Sequence, residues 1–343
     1  MEQASKNPNP IALTSGEPAG IAPEITSKAW NALRGEPGAA FFLIGDADYF
    51  ATRAVAAGLP MPTVKIENSG EAAAQFQSAL PVLHRPFSAR PRPGVIDATT
   101  ALSVIAAIDE AVELALAGNA SALVTNPIQK EALYSAGFKH QGHTDYLAAL
   151  AARHRHGHTV QEVMMLVAKD LRAVPVTVHI PLKDVPTSLT QKLIVDQSLV
   201  VARDLKKYFG IAKPRLAFAG LNPHAGENGT MGSEEQTVII PAMTQLREAG
   251  IMVSGPLSAD TAFHAEGRAN YDVIFCMYHD QALIPVKTLD FYGGVNVTLG
   301  LPFIRTSPDH GTALGIAGTG KADAQSLIAA IRLAGRMAAN ART

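Results

Sequence analysis

Short apolar runs, each followed by a stretch with apolar positions at helical spacing, recur along this chain and set its expected architecture. Ile11–Thr14, Ala40–Ile44 and Thr63–Ile66 read as strands. A helix opening with Pro23 in its first turn follows the first of them, and an Ala-rich helix from about Ala47 follows the second. Residues 67–98 are rich in Pro, Ser and Gly and resolve into no element. Thr99–Ala117 has helical periodicity and stops at Gly118. Ala122–Thr125 reads as a strand, followed by a helix from about Ile128 to Ala136 and another beginning near Asp145.

Glu162–Ala168 and Leu171–His179 read as two strands joined by a Lys169-Asp170 turn, and Thr190–Phe209 as a long amphipathic helix. The remaining strands are expected at Leu216–Ala219, Met252–Ser254, Val273–Met277 and Val295–Thr298, with helices at Ser233–Ala249 and Ala322–Ala339. Alternating strands and helices predict an α/β layered fold with largely parallel sheets. Residues 1–8 read as a disordered tail. The length of 343 residues favours two domains, although no break in composition marks a boundary.

Composition narrows the function classes. With 47% hydrophobic and 17% charged residues the chain is globular. A formal charge of −1, from 29 Lys+Arg against 30 Asp+Glu, gives no case for a nucleic-acid or membrane-surface partner. A single cysteine, Cys276, excludes a disulfide within the chain and fits a reducing compartment. The first ten residues have no apolar core, unlike a signal peptide. No run approaches the roughly 18–20 apolar residues of a membrane span. A cytoplasmic protein is expected.

The chemistry concentrates in loops. Leu221-Asn222-Pro223-His224-Ala225-Gly226-Glu227-Asn228-Gly229 follows the Leu216 strand and is a poor helix or strand former. A loop carrying His and Glu beyond a buried strand is where α/β enzymes place their chemistry. His179, His224 and His279 each stand at or just beyond a strand end by this reading, and Asp280 follows the last. Three imidazoles so placed suit a divalent metal with open positions. They equally suit three unrelated histidines bonded to backbone, because no short H-x-x-x-H spacing enforces geometry. Gly142-His143-Thr144 offers an imidazole, a hydroxyl and amide groups at a helix start, while Lys287, Asn296 and Arg305 sit near later strand ends and could close on a phosphate. Taken singly, Lys287 and Arg305 each read first as a solvated surface charge. The Gly16–Gly20 stretch is neither a G-x-G-x-x-G nor a P-loop.

At these residues the chain resembles the 4-hydroxythreonine-4-phosphate dehydrogenases of vitamin B6 biosynthesis. The matching segments are Gly16-Glu-Pro-Ala-Gly-Ile-Ala-Pro-Glu24, Thr125-Asn-Pro127 with Lys130, Gly142-His-Thr144, Leu221-Asn-Pro-His-Ala-Gly-Glu227, Met231-Gly232 and Gly255-Pro-Leu-Ser-Ala-Asp260. Tyr278-His-Asp-Gln281, Gly294–Ser307 and Asp309-His-Gly311 complete them. Glu17, Ala22 and Ala282 depart from the family's usual Asp, Gly and Gly, and one extra residue separates His279 from Lys287 relative to many members.

The resemblance implies that His179, His224 and His279 ligate a divalent metal, zinc first, with magnesium or cobalt also accepted. It implies substrate binding, largely around a phosphate, by His143, Thr144, Lys287, Asn296 and Arg305. It further implies a homodimer whose active site, at the subunit interface, takes residues from both chains. The implied architecture is the two-domain isocitrate/isopropylmalate dehydrogenase-like fold with a cleft between domains. Its soft boundaries fall at 1–126 plus 300–343, with the cofactor-side segments, and at 127–299, with the metal ligands and dimer contacts. Asp309–Gly318 looks like the adenine-side cofactor loop of isopropylmalate dehydrogenases, which marks His310, Gly311 and Gly318 for NAD, or alternatively NADP.

The expected reaction is NAD-dependent oxidation of 4-phosphohydroxy-L-threonine at C3. The resulting 3-keto acid loses CO₂ to give 3-amino-2-oxopropyl phosphate. Asp260 and Asp280 are the candidate bases, and Asp260 could instead ligate the metal. Glu227 is unassigned between orienting His224 and pinning its loop. The alternatives are a paralogous dehydrogenase of a phosphorylated four-carbon sugar acid, such as 4-phospho-threonate or its erythronate counterpart, and a metal-dependent phosphate-ester hydrolase.

Overall fold

The computed structural model describes residues 9–154 and 160–342, so the tail expected at residues 1–8 lies outside the described residues. In chain order the strands are β1 (Ile11–Thr14), β2 (Phe41–Gly45), β3 (Thr63–Ile66), β4 (Leu80–His84), β5 (Leu123–Val124), β6 (Val163–Ala168), β7 (Leu171–Pro175), β8 (Arg215–Ala219), β9 (Met252–Leu257), β10 (Val273–Cys276), β11 (Val295–Leu299) and β12 (Arg305–Pro308). Two compact units form: Met1–Val160 with Leu301–Thr343, and Gln161–Gly300. The division falls at 160/161 rather than the 126/127 expected from sequence. Helix His143–His154 packs its Tyr146, Leu147, Leu150 and Ala151 into the core of the first unit. Its Tyr146 hydroxyl donates to Asp109 on helix Ala101–Leu116.

In the first unit the strands run in the order β3-β4-β2-β1-β5-β12, every pairing parallel. Both faces are covered, so β1 and β2 are buried at every position. Alternation along the strands sends Ala12, Phe42 and Ile44 to the face covered by helix Ala101–Leu116. Ile11 faces the other side, where helix Gln325–Asn340 packs so closely that a Cβ on Gly335 would lie 3.9 Å from the Ile11 Cδ1. The chain leaves β1 towards β2 on one side and returns to place β5 on the other. The carboxyl ends of β1 and β5 therefore flank the point where strand order reverses, the usual ligand crevice of open α/β sheets.

In the second unit the order is β11-β6-β7-β10-β8-β9. Only β6 runs against its neighbours, because β6 and β7 form a tight hairpin through Lys169 and Asp170, with Lys169 at φ +52°. Helix His279–Leu289 covers one face through Ala282 and Val286. Helix Gln191–Phe209 is capped by the Thr190 hydroxyl, which accepts from Leu193 N at 3.1 Å, and ends at Gly210 in the left-handed region. No helix among the described residues is long and apolar enough to cross a membrane.

Several expected boundaries shift. The 67–98 stretch, expected to hold no element, contains β4, inserted between β3 and β2 despite Pro81. Arg305–Pro308, not expected as a strand, is fully buried and pairs with β5. The ladder of β7 stops at Pro175, so His179 lies on the connection beyond it. That of β10 stops at Cys276, and His279 opens a helix instead of ending a strand.

Candidate active site

In the second unit two of the three histidines stand on left-handed backbone. His179 has φ +51°, and His224 has φ +51° within a turn whose residues His224 to Asn228 all lie on the positive-φ side. Four of those five are not glycine, and a left-handed conformation costs an L-residue about 1–2 kcal/mol. Surrounding contacts must therefore impose this turn. His279, at the start of its helix, is tied by Nδ1 to Asp280 Oδ1 at 2.7 Å. The His179 and His279 ring centroids lie 5.5 Å apart, the rings tilted 44° to each other.

Asp280 and Asp260 line one cavity of about 450 Å³, together with Phe263, Gln281, Ile284 and Thr288. The Asp260 carboxylate accepts a hydrogen bond from the Ser258 hydroxyl, which pulls its pKa below the usual range, and the charge of His224 adds to that pull. The two candidate bases and the histidines thus form a chain of neighbours. Among the described residues, however, no group of three His, Cys, Asp or Glu side chains is gathered closely enough to hold a metal ion. His179 and His279 are brought together; His224 is placed beside Asp260.

Two residues with no role assigned above position these groups. Gln281 is buried, its Oε1 accepting from Met277 N at 2.6 Å and its Nε2 donating to Gly220 O at 2.8 Å. It fastens the start of the His279 helix to the end of β8. Glu235, also buried, accepts from both the backbone N and Nδ2 of Asn222, at 2.8 and 3.0 Å. Glu235 stands in the polar run Ser233-Glu234-Glu235-Gln236-Thr237, so nothing in the sequence singled it out for burial.

Lys287, on the helix rather than at a strand end, lies over the Phe291 ring at 5.3 Å. Asn296, the second residue of β11, has a buried Oδ1 with no hydrogen-bond partner among the described residues. Glu227 is exposed; its backbone O accepts from the Thr230 hydroxyl at 2.9 Å.

In the first unit, His143 and Thr144 occupy the first turn of helix His143–His154, inside it instead of before it. Burial pushes the His143 imidazole well below its usual pKa of 6.5, and the nearby positive charges of Arg305 and Lys130 push the same way. It is therefore neutral at physiological pH, with a buried Nε2 that has no hydrogen-bond partner among the described residues. Arg305 is 3% exposed, and its Nη2 donates to the Thr125 hydroxyl at 2.7 Å. Burial lowers its pKa to about 9, so it keeps its charge at neutral pH. Arg305, Lys130, a neutral imidazole and a helix N-terminus are groups chemically suited to an anion.

The carboxyl ends of β1 and β5 lie beside it. There Ser15 Oγ and Asn126 Oδ1 are buried without partners among the described residues. Gly16 has φ +62°, and a Cβ on it would come within 2.5 Å of Asn126 Cβ. The expected cofactor loop packs against this region: Ile21 N donates to Thr312 O, and Gly318 N donates to the buried Glu24 carboxylate. His310 is half-buried with Nδ1 beside Gly311 O at 3.0 Å, and Gly311 is exposed.

With this geometry in view, comparison with known proteins decides the family. The model of the pyridoxal phosphate biosynthetic protein PdxA family matches residues 38–334. The chain belongs to this family. It is 53% identical to the 4-hydroxythreonine-4-phosphate dehydrogenase of Bradyrhizobium diazoefficiens over 338 residues, covering 96% of this chain and 97% of that protein. A protein of the same name from Xanthobacter autotrophicus is 50% identical over 332 residues, covering 96% and 94%. The crystal structure of 4-hydroxythreonine-4-phosphate dehydrogenase from Klebsiella pneumoniae has a TM-score of 0.85 at 39% identity, covering 96% of this chain and 99% of that one. Family membership makes the chain an enzyme, an oxidoreductase with the mixed α/β fold described above.

Proposed function

We propose that this enzyme oxidises 4-phosphohydroxy-L-threonine at C3 with NAD⁺ as hydride acceptor, NADP⁺ being the alternative. The 3-keto acid so formed would lose CO₂ to give 3-amino-2-oxopropyl phosphate, on the route to pyridoxal 5′-phosphate. The observation that carries the reading is the 53% identity, across 96% of the chain, to a protein named for this activity.

His179, His224 and His279 are the residues proposed to hold a divalent ion, zinc first and magnesium or cobalt next. Their donor chemistry fits. The 5.5 Å between the His179 and His279 rings is close to the roughly 5 Å kept by two imidazoles sharing one ion at about 2 Å each. When bound, such an ion supplies positive charge next to the alcohol oxygen and lowers its pKa.

The rest falls to the chain's own groups. Arg305 and Lys130 supply charge to the phosphate, with Thr144 and the neutral His143 as hydrogen-bonding groups. Lys287 and Asn296 are proposed as further substrate contacts from their match to the family. Binding at the remote phosphate contributes orientation at C3. Asp260 and Asp280, on the wall of one cavity, are the groups proposed to take the hydroxyl proton. His310, Gly311 and Gly318 are proposed for the dinucleotide, supported by the packing of their loop at the carboxyl end of β1. The working unit is proposed to be a cytoplasmic homodimer sharing its active sites, and the exposed apolar side chains of Ile284, Phe291 and Tyr292 support an apolar contact.

The test is formation of NADH from NAD⁺ and 4-phosphohydroxy-L-threonine by purified protein supplied with zinc, beside 4-phospho-threonate. NADH formation with the first substrate, abolished by a chelator, is expected. Turnover of 4-phospho-threonate alone would overturn the substrate assignment, and turnover independent of NAD⁺ would overturn the reaction.

A further inference from the structure

We propose that Glu235 is a positioning residue for His224: its buried carboxylate sets the left-handed turn on which that imidazole stands, and thereby how tightly the site takes a divalent cation. The inference rests on the reading of His224 as a metal ligand. The contacts of Glu235 bracket His224. Before it, Oε1 accepts from Asn222 N at 2.8 Å and Oε2 accepts from Asn222 Nδ2 at 3.0 Å. After it, Oε2 lies 2.5 Å from where a Cβ on Gly226 would stand, while Oε1 is 3.1 Å from the same point on Gly220, at the start of the loop. The carboxylate fills the room that these two glycines leave, and Gly226 itself has φ +77°.

The turn then closes on itself. Ala225 N donates to Asn222 O at 3.1 Å and Met231 N donates to Gly226 O at 3.2 Å. Asn222 Nδ2 also donates to Glu234 Oε2 at 2.8 Å.

The placement of Glu235 has its own device. It opens a single π-helical turn, Glu235–Ile239, ahead of helix Ile240–Glu248. Such turns are rare and concentrate at functional sites. A 2%-exposed carboxylate held in a π-turn, both oxygens on one loop, is an unusual way to secure an ordinary turn. It is well suited to holding a single side chain, that of His224, in a strained direction.

The experiment measures Zn²⁺ affinity of the full-length protein by competition with a chromophoric chelator, for wild type, His224→Ala, Glu235→Gln, Glu235→Asp and Asn222→Ala. Glu235→Gln presents an amide N–H₂ to a donor and should weaken Zn²⁺ binding about 10–100-fold, the range for partners of metal ligands. Excess Zn²⁺ should restore kcat, and Glu235→Asp should recover part of the affinity; a purely structural role would show neither. Asn222→Ala removes the Nδ2 bond to Glu235 and keeps the backbone one, so it should weaken Zn²⁺ binding by the smaller part of that range, and it decides the matter if Glu235→Gln does not fold. Wild-type Zn²⁺ affinity in Glu235→Gln, or in Asn222→Ala in that event, alongside weak binding by His224→Ala, overturns the inference and leaves the functional reading intact. Wild-type affinity in His224→Ala overturns the ligand assignment and the inference with it.

Discussion

His143 and His224 both lie on segments matching the family, yet their settings are opposite. His143 sits in regular helix, kept neutral first by burial and then by the charges of Arg305 and Lys130. His224 is exposed, on backbone that only tertiary contacts could hold in place. The first region controls charge through burial and leaves the backbone relaxed. The second leaves its imidazole open to solvent and controls direction through strain. A site for a preformed anion needs the former, because desolvation sharpens every electrostatic contact. A site completed by an added ion needs the latter, because ligand direction decides whether the ion is held.

The largest expected effect probes the second region. His224→Ala should lower turnover about 10³-fold, the several kcal/mol that an ion beside the reacting oxygen supplies. Initial rates with NAD⁺ measure this, and a loss below tenfold would remove His224 from the chemistry. Arg305→Met keeps the volume of the buried side chain and deletes its charge. We expect KM for the phosphorylated substrate to rise about 100-fold with kcat less affected, the pattern of lost uniform binding.

Gly16→Ala places a Cβ 2.5 Å from Asn126 Cβ and 2.7 Å from Pro127 O at φ +62°. Denaturant unfolding should show a loss of about 2 kcal/mol or more. The smallest effect concerns pH. The folded protein holds His143 below its ordinary 6.5. The unfolded chain therefore takes up a proton there that the folded chain refuses, and stability falls as pH drops below that value. His143→Gln removes this term. It should lose about 1 kcal/mol less than wild type between neutral pH and about one unit below 6.5, by parallel denaturant titrations.

The same contrast governs how much was legible in the sequence. β1 and β2 announce themselves because strands buried within a sheet are continuous apolar runs, and the edge strand β3 by its alternation. β4 does not, since Pro81 interrupts Leu80–His84 inside a Pro-rich stretch. β12 reads Arg-Thr-Ser-Pro and is a strand only because β5 offers a ladder. His143 and Thr144 could be placed near a helix start from local spacing. His179 and His279 were misplaced by a few residues because apolar character continues through Val176–Val178 and Met277 after the ladders stop. The left-handed direction of His224 was out of reach: it is fixed by Glu235, beyond the loop in sequence, and no local propensity encodes it.

The π-turn at Glu235–Ile239 also gives this helix a history that can be read in phase rather than in length. A π-turn holds one residue more than the α-helix it interrupts. Deleting one residue within it would return the segment to α spacing and leave Ile240–Glu248 packed as before. Glu235 is the first residue of that turn, so shortening it would shift the carboxylate along the helix and off Asn222 and Gly226. A single-codon deletion would thus preserve the fold's outer frame while silencing the loop beneath it, so insertions and deletions at this turn are expected to separate relatives that keep the His224 chemistry from those that have abandoned it.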